Sequence, residues 1–552
     1  MIDVDSARFI AQATPGWSLR CYDPATFLET SRMSTKWVWL FSAFSHTAAW
    51  LASSACPAPR LEPERLIVAD DGRDRGYPGG LSLGDVDGDG DLDLLATRGY
   101  DPTAKPYRGD RSLLYLNKGD GSFTRSESPF ADKDTPDSGG TLADVDNDGD
   151  LDAYISTQHK KPNRFFENEG KGRFVETTLG DATSDASSNF SSGFVDIDVD
   201  GDLDLYATGP TLELNDVNLA FRNDGGRFLA VSGVAIDNGK NNPAASLWAD
   251  VDNDGDPDLL VANSDVMRLS GYPAPPLEHA ALYRNDGGWT FAATTGQAFS
   301  TIAHPAISAA FGDVDNDGDF DLFLGSHVYK VDPRPDWLFL NDGAGRFTRA
   351  PQQFPAHKAT ATGAAFADFN GDGALDLLAI SYEGPVELYV GDGAGAFTRL
   401  EDAALSESRL GRWSAVTGDI DADGRIDALL GSWGETAEGD YITILRNRTP
   451  RCGSWIELTV LSPSGAPNPP GARVTLTTIG NGRPLRQLRE ASAQTGFRSQ
   501  SGSAFLFAAP PGHFVEGAEI RWPDGRTRRL EQLGVGGRIE VPHPAMEKRS
   551  SR

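Results

Sequence analysis

The sequence predicts an all-β protein, in which a seven-bladed β-propeller is followed by a small β-sandwich. Three observations lead to this prediction. An acidic nine-residue loop occurs seven times, short apolar runs that read as strands flank each copy, and the repetition stops near Pro450. The loops start 51 to 63 residues apart. Four strands repeated at such an interval are typical of propeller blades.

The acidic loop has the pattern D-x-D-x-D-G-x-x-D. Its carboxylates at positions 1, 3 and 5 crowd negative charge into one turn, and Ca²⁺, which takes six to eight oxygen ligands, would neutralise it. Glycine at position 6 permits the positive φ of a sharp turn. Position 7 varies and can offer its carbonyl oxygen, and the aspartate at position 9 closes the cage. The seven copies, numbered loops 1 to 7 in chain order, predict up to seven calcium sites.

The predicted ligands stand at positions 1, 3, 5, 7 and 9 of each loop. From loop 1 to loop 7 they are Asp85, Asp87, Asp89, Asp91 and Asp93; Asp144, Asp146, Asp148, Asp150 and Asp152; Asp196, Asp198, Asp200, Asp202 and Asp204; Asp250, Asp252, Asp254, Asp256 and Asp258; Asp313, Asp315, Asp317, Asp319 and Asp321; Asp368, Asn370, Asp372, Ala374 and Asp376; Asp419, Asp421, Asp423, Arg425 and Asp427. In loop 6, Asn370 keeps an oxygen but loses a charge, so we expect weaker binding there. Ala374 and Arg425 are compatible with a carbonyl ligand at position 7.

The EF-hand shares the D-x-D-x-D-G pattern, but it needs a glutamate at position 12 and a helix on each side. Position 12 is apolar in all copies: Ala96, Ile155, Ala207, Val261, Leu324, Ala379 and Leu430. The flanks, such as 93–97, read as strands. A solvated acidic turn without metal would explain one copy, but seven copies in register argue against it.

The aspartates of these loops are as numerous as the excess of acidic over basic residues in the whole chain. The formal net charge is −30, and the loops hold 32 aspartates. Seven bound Ca²⁺ would bring the formal charge to about −16. The acidity therefore belongs mainly to metal ligands, and the overall charge disfavours a nucleic-acid partner.

Each repeat accounts for four strands, A to D. Strand A precedes the loop, B follows it, C ends at an asparagine such as Asn117, and D carries a phenylalanine such as Phe123 after an N-x-G-type turn. In strand A a small residue such as Gly84 follows a large apolar one such as Leu83. Crowded strands around an axis need that alternation, so strand A is predicted to be innermost.

The seventh repeat has a strand C, Tyr441–Asn447, but no strand D after it. We predict that Arg65–Ala69, ahead of loop 1, completes blade 7 and closes the ring. Cys56 and Cys452 would then flank neighbouring strands, which suggests a disulfide between them. Three cysteines in the whole chain exclude a disulfide-dense scaffold.

Strand parity places the acidic loops and the C–D hairpins on one face, the acid-loop face. The B–C and D–A connections lie on the other, the variable-loop face, which carries the long insertions. Aromatic residues in these insertions are Tyr100, Tyr107, Tyr272, Tyr329 and Trp433. Exposed aromatics on variable loops over a rigid scaffold are common in binding sites, so this face is the candidate surface for a protein or glycan ligand. Packing within the loops is the alternative for each residue.

Residues 1–60 are predicted to hold an upstream segment and a secretory signal. From Met33, the expected true start, a charged beginning leads to the apolar stretch 37–51 and then to small residues, with cleavage after Ala55. The stretch is short and interrupted for a membrane span, so we expect none in the mature chain. A lipid anchor on Cys56 is an alternative, although Ser53 stands where such sites usually have leucine. The expected location is secreted, periplasmic or cell-surface.

From Pro450 onward, seven short strands between Gly/Pro turns predict a β-sandwich over 450–543, with a disordered tail over 544–552. The chain from Pro450 has 14 Lys/Arg and 8 acids, a net charge of +6, against −36 before it. This difference in charge suggests that the module docks onto the acidic propeller of 61–449.

The repeats over 61–449 resemble the FG-GAP/VCBS calcium repeats, a family that includes the integrin α-subunit propeller, and the resemblance implies calcium at the loop positions given above. Trp455–Leu458, Ser499–Gln500 and Ile520–Gly525 resemble the ASPIC/UnbV domain, which follows such repeats in the cartilage acidic protein-like family. Where that domain usually has F-G-L-G, this chain has Phe507–Pro510 with the sequence F-A-A-P.

The sequence shows no catalytic constellation. Its eight histidines are scattered, and no phosphate-loop pattern occurs. The first interpretation is therefore a calcium-binding propeller that acts as a protein- or glycan-binding or adhesion module. The alternative is a secreted enzyme acting on polysaccharide or a secondary metabolite, with its site on the variable-loop face or at the junction of the modules. Fold alone does not decide between them.

Overall fold

A computed structural model shows the predicted all-β architecture: seven four-stranded antiparallel blades and two further sheets from the C-terminal part of the chain. The structure describes residues 56–67, 78–101, 108–109, 112–127, 129–132, 135–184, 189–209, 218–237, 243–264, 279–301, 305–326, 334–352, 354–355, 361–381, 384–406, 413–431, 441–492, 494–502 and 505–547. The predicted signal segment and Met33 lie outside these residues.

The propeller strands follow the A-to-D order. They are β1 Leu61–Ile67, β2 Pro78–Gly84, β3 Asp93–Arg98, β4 Tyr100–Asp101, β5 Arg108–Gly109, β6 Leu113–Asn117, β7 Phe123–Ser126, β8 Asp137–Ala143, β9 Asp152–Thr157, β10 Arg164–Asn168, β11 Phe174–Thr177, β12 Ser191–Val195, β13 Asp204–Thr208, β14 Leu219–Asn223, β15 Phe228–Val231, β16 Pro243–Ala249, β17 Asp258–Asn263, β18 Ala281–Asn285, β19 Phe291–Ala293, β20 Ala306–Gly312, β21 Asp321–Ser326, β22 Trp337–Leu340, β23 Thr348–Arg349, β24 Ala361–Ala367, β25 Asp376–Ser381, β26 Glu387–Gly391, β27 Phe397–Arg399, β28 Ser414–Gly418, β29 Asp427–Gly431 and β30 Tyr441–Asn447. Blade 1 is β2–β3–β6–β7, with β4 and β5 as a separate small hairpin, and blades 2 to 6 take four consecutive strands each, from β8 to β27.

The remaining elements are shorter or belong to the C-terminal part. They are the strands β31 Ser454–Val460, β32 Arg473–Gly480, β33 Arg483–Glu490, β34 Ser499–Gln500, β35 Phe505–Ala509, β36 His513–Arg521, β37 Thr527–Glu531 and β38 Gly537–Val541, the helices α1 Ala403–Ser406 and α2 Pro544–Glu547, and the 3₁₀ turns Pro129–Asp132, Gly180–Thr183, Ala235–Asp237 and Phe299–Thr301.

Strand A is the innermost strand of its blade, as predicted, because the A strands of neighbouring blades contact one another around the axis. All seven residues of β8 and of β16 are buried. The small residue before each loop leaves room for the next blade. A Cβ added at Gly312 would lie 2.9 Å from a ring carbon of Phe366 in blade 6. The alternation of small and large residues thus sets how closely two blades approach.

The strand at the start of the chain closes the ring. Blade 7 has the order β1–β30–β29–β28. Strand β1 pairs antiparallel with β30 over its whole length, from Leu61 opposite Asn447 to Ile67 opposite Tyr441. The closing strand was predicted to begin at Arg65, but it begins at Leu61, because Leu61 buries its side chain in the core of blades 6 and 7. Residues 68 and 69 lie outside the described part of the chain.

A disulfide joins Cys56 to Cys452, with 5.2 Å between their Cα atoms. This confirms the pairing suggested by the sequence, because closing the ring brings the beginning of β1 beside the end of β30. The sulfur of Cys56 is used in this bond. The alternative of a lipid anchor on Cys56 is therefore wrong for this structure, since a thioether needs the same sulfur atom.

The asparagine that ends strand C links each of five blades to the blade before it. Its side-chain Nδ2 donates to the carbonyl oxygen at position 2 of the preceding acidic loop. The pairs are Asn117 to Ile420 at 2.8 Å, Asn168 to Val86 at 2.8 Å, Asn285 to Ile197 at 2.9 Å, Asn341 to Val251 at 2.8 Å, and Asn447 to Phe369 at 2.8 Å. The acidic loops are thus part of the contacts between blades, on the same face as the C–D hairpins.

The C-terminal part forms a two-layer sandwich. One layer has the order β35–β31–β38 and the other β33–β32–β36–β37. Their inner faces share one apolar core, in which Ile456 and Leu458 of the first layer meet Val474 and Ile520 of the second. The fully buried Trp522 donates its indole N–H to the carbonyl oxygen of Leu461 at 2.8 Å. The predicted β-sandwich is confirmed.

Residues 494–502, here called the axial segment, leave the sandwich and enter the axis of the propeller. They contact the innermost strand of every blade. The contacts are Ser499 with Leu81 of β2, Gln500 with Leu142 of β8, Gln494 with Ser191 of β12 and Ser246 of β16, and Ser501 with Thr417 of β28. Gly496 lies near the carbonyl oxygens of Ala309 of β20 and Ala364 of β24. The side-chain amide of Gln500 accepts from the Leu142 N–H at 2.7 Å and donates to the Leu142 carbonyl at 2.9 Å. The axis is therefore filled by the chain itself.

The sequence predicted a disordered tail from residue 544, but the described chain continues there as the helical turn α2. Pro544 suits the first helical position, where its missing N–H would be unpaired anyway. The side-chain Nδ1 of His543 accepts from the N–H of Ala545 at 3.2 Å and helps fix the turn. Among the described residues, none of the helices is long and apolar enough to cross a membrane.

Candidate metal centres

The aspartate at position 9 of each loop stands at the start of strand B and is almost completely buried. In loop 1, Asp93 accepts from the N–H of Asn117 at 2.8 Å and from the N–H of Val86 at 3.0 Å. Asp85, at position 1, accepts from the N–H groups of Gly88 at 2.8 Å and Gly90 at 2.9 Å. These bonds hold the first and last carboxylates of the loop on either side of its centre. The two bonds to position 9 recur in loops 2 to 6.

The structure brings the predicted ligands together. In at least five loops, three carboxylates offer oxygens that all lie within 4.8 Å of one another. These groups are Asp85, Asp87 and Asp93; Asp144, Asp146 and Asp148; Asp196, Asp198 and Asp204; Asp250, Asp252 and Asp254; and Asp313, Asp315 and Asp321. Hard oxygen donors at this spacing are the ligand set that Ca²⁺ prefers.

The carboxylates at position 3 show that a cation fits these centres. One oxygen of each of Asp198, Asp252, Asp315 and Asp421 is buried and has no hydrogen-bond partner among the described residues. A buried unpaired carboxylate oxygen is costly, and a coordinated dication would satisfy it. When bound, calcium would supply charge neutralisation and would hold the two ends of the loop, and hence strands A and B, together.

Burial raises the pKa of the position 9 aspartates, and the neighbouring loop carboxylates add to the effect. The pKa reaches about 8 at Asp152, Asp204, Asp258 and Asp321, and about 7 at Asp93 and Asp427. Without a cation, these groups would hold protons near neutral pH. Calcium binding should therefore release protons, because a metal ligand must be deprotonated.

We expect the calcium-stripped protein to lose stability as pH rises. The folded-state pKa of Asp321 is about 8 and its ordinary value is 3.8. Because the pKa is raised in the folded state, the protonated carboxyl stabilises the folded protein. This stabilisation is fully present below about pH 3.8 and is lost as the pH rises through about 8. Thermal melts of stripped protein between pH 5.5 and 8.5 should show Tm falling by several degrees.

Saturating calcium is the control for this prediction, because the carboxylates are then ionised and coordinated throughout the range. A Tm of the stripped protein that stays constant or rises between pH 5.5 and 8.5 would contradict the protonated state of these aspartates.

Position 4 of the loop requires a positive φ, which the D-x-D-x-D-G-x-x-D pattern does not indicate. The φ angle is positive there in every loop, at Gly88, Asn147, Val199, Asn253, Asn316, Gly371 and Ala422. Five of these residues are Gly or Asn, which tolerate the left-handed region best, and this preference was the available signal in the sequence. Val199 at φ 59° and Ala422 at φ 54° occupy it at a conformational cost.

Replacing Val199 by glycine should stabilise loop 3. A β-branched residue in the left-handed region costs roughly 1–2 kcal/mol, which glycine avoids. We expect Val199→Gly to raise the free energy of unfolding in saturating calcium by about 1 kcal/mol, measured by urea denaturation.

The matched control is Gly88→Val in loop 1. A Cβ added at Gly88 would meet no atom within 4 Å, so the substitution tests backbone conformation without a clash. It should destabilise by a similar amount. Equal stability of both variants and the wild type would show that position 4 carries no strain.

The side chains at position 7 bridge neighbouring blades. Asp202 accepts from the side-chain amide of Asn147 in loop 2 at 3.0 Å, and Asp319 accepts from that of Asn253 in loop 4 at 2.8 Å. Arg425 instead donates to the carbonyl oxygen of Asn447 at 3.0 Å. The side chains of Asp202, Asp319 and Arg425 are thus engaged elsewhere, and a calcium ligand at position 7 remains a prediction for the backbone carbonyl.

Loop 4 has two cations beside its first carboxylate. Guanidinium nitrogens of Arg521 and Arg473 lie 2.6 Å and 3.6 Å from Oδ2 of Asp250, and their charge opposes a dication there.

Loops 6 and 7 also differ from the others. In loop 6, the side-chain amide of Asn370 donates to Asp372 at 2.8 Å, and its Oδ1 accepts from the Asp372 N–H at 3.0 Å. The weaker binding remains a prediction. In loop 7, the buried guanidinium of Arg446 lies 3.8 Å from carboxylate oxygens of both Asp421 and Asp427. That charge opposes a dication at loop 7, a feature that the motif alone does not reveal because Arg446 lies on strand β30.

The C-terminal sandwich contacts the acid-loop face, which confirms the docking suggested by charge. Arg521 Nη2 lies 2.6 Å from Oδ2 of Asp250, the first residue of loop 4. Ser464 donates to Asp144 of loop 2 at 2.6 Å, and Arg473 donates to the carbonyl oxygen of Gly318 in loop 5 at 3.0 Å. The predicted calcium centres therefore lie beside the sandwich.

The predicted aromatic surface on the variable-loop face is not described. Tyr107, Tyr272, Tyr329 and Trp433 lie outside the described residues, and only the backbone of Tyr100 is placed, in β4. These aromatics remain a prediction.

Two family models match the chain. A model described as FG-GAP-like repeat matches residues 85–155, 144–207, 270–324, 328–379 and 368–430. A model described as ASPIC and UnbV matches residues 464–548.

Among curated proteins, cartilage acidic protein 1 of Xenopus tropicalis is 28% identical to this chain over 289 residues, which cover 48% of this chain and 41% of the relative. The match thus spans about two fifths of the length of that relative.

Similar solved structures include that of an Agrocybe aegerita lectin that recognises non-reducing terminal N-acetylglucosamine. The match has a TM-score of 0.41 and 19% identity, and it covers 63% of this chain and 82% of the lectin. Another is the exotype rhamnogalacturonan lyase YesX, with a TM-score of 0.39, 13% identity, and coverage of 71% and 74%.

Proposed function

Because the chain belongs to the family of FG-GAP-like repeat proteins, with an ASPIC and UnbV domain at its C-terminal end, we propose that it is an extracytoplasmic, calcium-stabilised propeller that binds a protein or a glycan on its variable-loop face. The modules proposed are 61–449 and 450–543. The upstream segment and secretory signal lie within residues 1–60, with cleavage after Ala55, so that Cys56 begins the mature chain.

The carboxylate clusters carry the calcium part of the proposal. Each places several acidic side chains in one turn, and four position 3 aspartates have a buried oxygen without a hydrogen-bond partner among the described residues. The loops also accept the asparagine bonds between blades. Calcium at these centres would therefore stabilise both the loops and the contacts between blades.

The location is supported by the Cys56–Cys452 disulfide, because such bonds persist mainly in oxidising compartments outside the cytosol. Weak calcium sites also suit such a compartment, where modules bind in the range of about 10⁻⁴–10⁻³ M.

The binding face follows from what the chain already covers. The sandwich contacts loops 2, 4 and 5 on the acid-loop face, and the axial segment fills the axis. The variable-loop face, which carries the long connections, is the remaining broad surface of the propeller. Loops on a rigid scaffold are where binding residues concentrate.

The test is a screen of calcium-loaded protein on a glycan array and against extracellular proteins, with Trp433→Ala and Tyr272→Ala as variants. The proposal expects a ligand whose binding these variants weaken at least tenfold. The control variant is Phe514→Ala, because Phe514 is an exposed aromatic of the sandwich, at 62% exposure. Equal losses in the control would contradict a binding site on the variable-loop face. Turnover of a bound glycan would contradict a binding module and favour the enzyme.

A further inference from the structure

Loop 7 differs from the other acidic loops in the way its last aspartate is held. In loops 1 to 6, one oxygen of the position 9 aspartate accepts from the N–H of position 2. In loop 7, Oδ1 of Asp427 accepts from the N–H of Asn447 at 2.6 Å, but Oδ2 is buried and has no hydrogen-bond partner among the described residues. This second oxygen lies 3.8 Å from Nη1 of Arg446. Its neighbour is therefore a guanidinium and not the backbone of its own loop.

The same guanidinium nitrogen reaches a second ligand position of the loop. Nη1 of Arg446 also lies 3.8 Å from Oδ2 of Asp421, at position 3. Positions 3 and 9 are two of the three positions that cluster in loops 1, 3 and 5, where oxygens of the three carboxylates lie within 4.8 Å of one another. In loop 7 these two carboxylates thus share one positively charged nitrogen, as they would share a metal ion.

Contacts on its other edges hold the guanidinium in this place. Nη2 of Arg446 donates to the carbonyl oxygen of Gly121 in blade 1, and Nε donates at 3.3 Å to the exposed Glu64 of the closing strand β1. The side chain of Arg446 is only 6% exposed. A Cβ added at Gly121 would collide with Nη1, so only glycine leaves room for the arginine there. Withdrawal of Arg446 from loop 7 would break these contacts.

The topology of blade 7 explains why this arginine points inward. It precedes Asn447, the last residue of strand C. The residues at the same place in blades 3 and 4 are also arginines, Arg222 and Arg284, but both are exposed. Those blades continue from strand C into a C–D hairpin, whereas blade 7 takes its fourth strand from the start of the chain. Arg446 instead lies between loop 7 and the hairpin of blade 1.

The charges around loop 7 balance without a metal ion. Besides Arg446, three arginines contact the loop: Arg425 at Asp423, Arg448 at Asp421, and Arg451 at the carbonyl oxygen of Asp423. These four positive charges equal the four aspartates of the loop in number. Glu457, which also acts on loop 7, pairs with Arg538 at 2.7 Å. In loop 4, five aspartates face only two arginines, which leaves a formal charge of −3 for a dication to reduce.

We propose that Arg446 takes the place of calcium in loop 7, so that this chain binds calcium in at most six of its seven acidic loops. The comparison with the other loops rests on the proposed function. A dication among the same carboxylates would be repelled by a guanidinium that is held close to them. The ring closes between blades 7 and 1, and the chain itself supplies the cation at this junction. The junction therefore does not depend on the calcium concentration.

The first test locates calcium in crystals of the full-length wild type grown in saturating calcium. Anomalous difference maps, recorded at a wavelength where calcium scatters anomalously, show which loops hold an ion. We expect peaks in other loops and none in loop 7. A peak in loop 7 would overturn this proposal and leave the proposed function standing. Peaks in no loop would overturn the proposed function, and this proposal with it. The test needs no variant to fold.

The second test counts bound ions in solution by equilibrium dialysis with radioactive calcium. Arg446→Gln removes the charge and should raise the stoichiometry by one ion per chain, whereas Arg446→Lys keeps a positive charge and should leave it unchanged. The matched control is Arg222→Gln, at the same place on strand C of blade 3, which should also leave it unchanged. An unchanged number in Arg446→Gln, or the same gain in Arg446→Lys or in the control, would overturn the proposal.

Discussion

Stripping the protein of calcium is expected to lower its Tm by about 20 °C or more and to abolish cooperative unfolding of the propeller. A ligand present at a hundred times its Kd stabilises a protein by about 2.7 kcal/mol per site. Five to seven independent sites of this kind would together contribute about 14–19 kcal/mol, which reaches or exceeds the total stability of a typical domain. Removal of calcium also leaves the clustered carboxylates to repel one another.

The measurement is a thermal melt followed by circular dichroism before and after exhaustive chelation. Magnesium at the same concentration is the matched control, because it demands octahedral geometry at shorter distances and gives up its water reluctantly. Calcium should restore the Tm and magnesium should not. An unchanged Tm and strand content after chelation would show that the carboxylate clusters do not hold structural cations.

Removal of the Cys56–Cys452 disulfide is expected to lower the free energy of unfolding by about 3–5 kcal/mol. The bond closes a loop of 396 residues. The gain from restricting the unfolded chain grows with loop length, although measured effects rarely exceed about 5 kcal/mol. The disulfide also lies beside the closing strand β1, which is bound to blade 7 by its pairing with β30.

Urea denaturation of Cys56→Ser, Cys452→Ser and the double variant tests this prediction. Because both cysteines act through one bond, the double variant should lose no more than either single variant, whereas independent effects would add. Mass measurement after alkylation, with and without reductant, counts the free thiols. Free thiols at both positions in the unreduced protein, or additive losses, would contradict the bond.

The filled axis has a consequence for the way the two modules separate. Arg521 and Asp250 form a charged contact that salt weakens. The axial segment is held differently, by the amide bonds of Gln500 to Leu142 and by packing of Phe497 against Phe190 and Ile307. Salt screens such contacts much less. High salt alone is therefore not expected to release the sandwich from the propeller.

The sequence by itself determined the features that depend on residues close together in the chain or on the repeat interval. The spacing of aspartates within nine residues specifies the turn, and the position of Gly90 specifies its positive φ of 93°. The interval between loops specifies the blade, and the missing fourth strand of the last repeat pointed to a closing strand near Arg65. Each of these follows from residues that are close in the chain or from counting repeats.

The tertiary structure alone decided the contacts between residues far apart in the chain. The partner of Asn168 is the carbonyl of Val86, and the guanidinium of Arg446 lies beside Asp421 and Asp427 only because β30 packs there. The axial segment carries few apolar residues and no strand pattern, so nothing local indicates that it enters a ring of seven blades. Its place depends on how the two modules pack. The free energy of that packing is shared among residues that no short window of sequence contains.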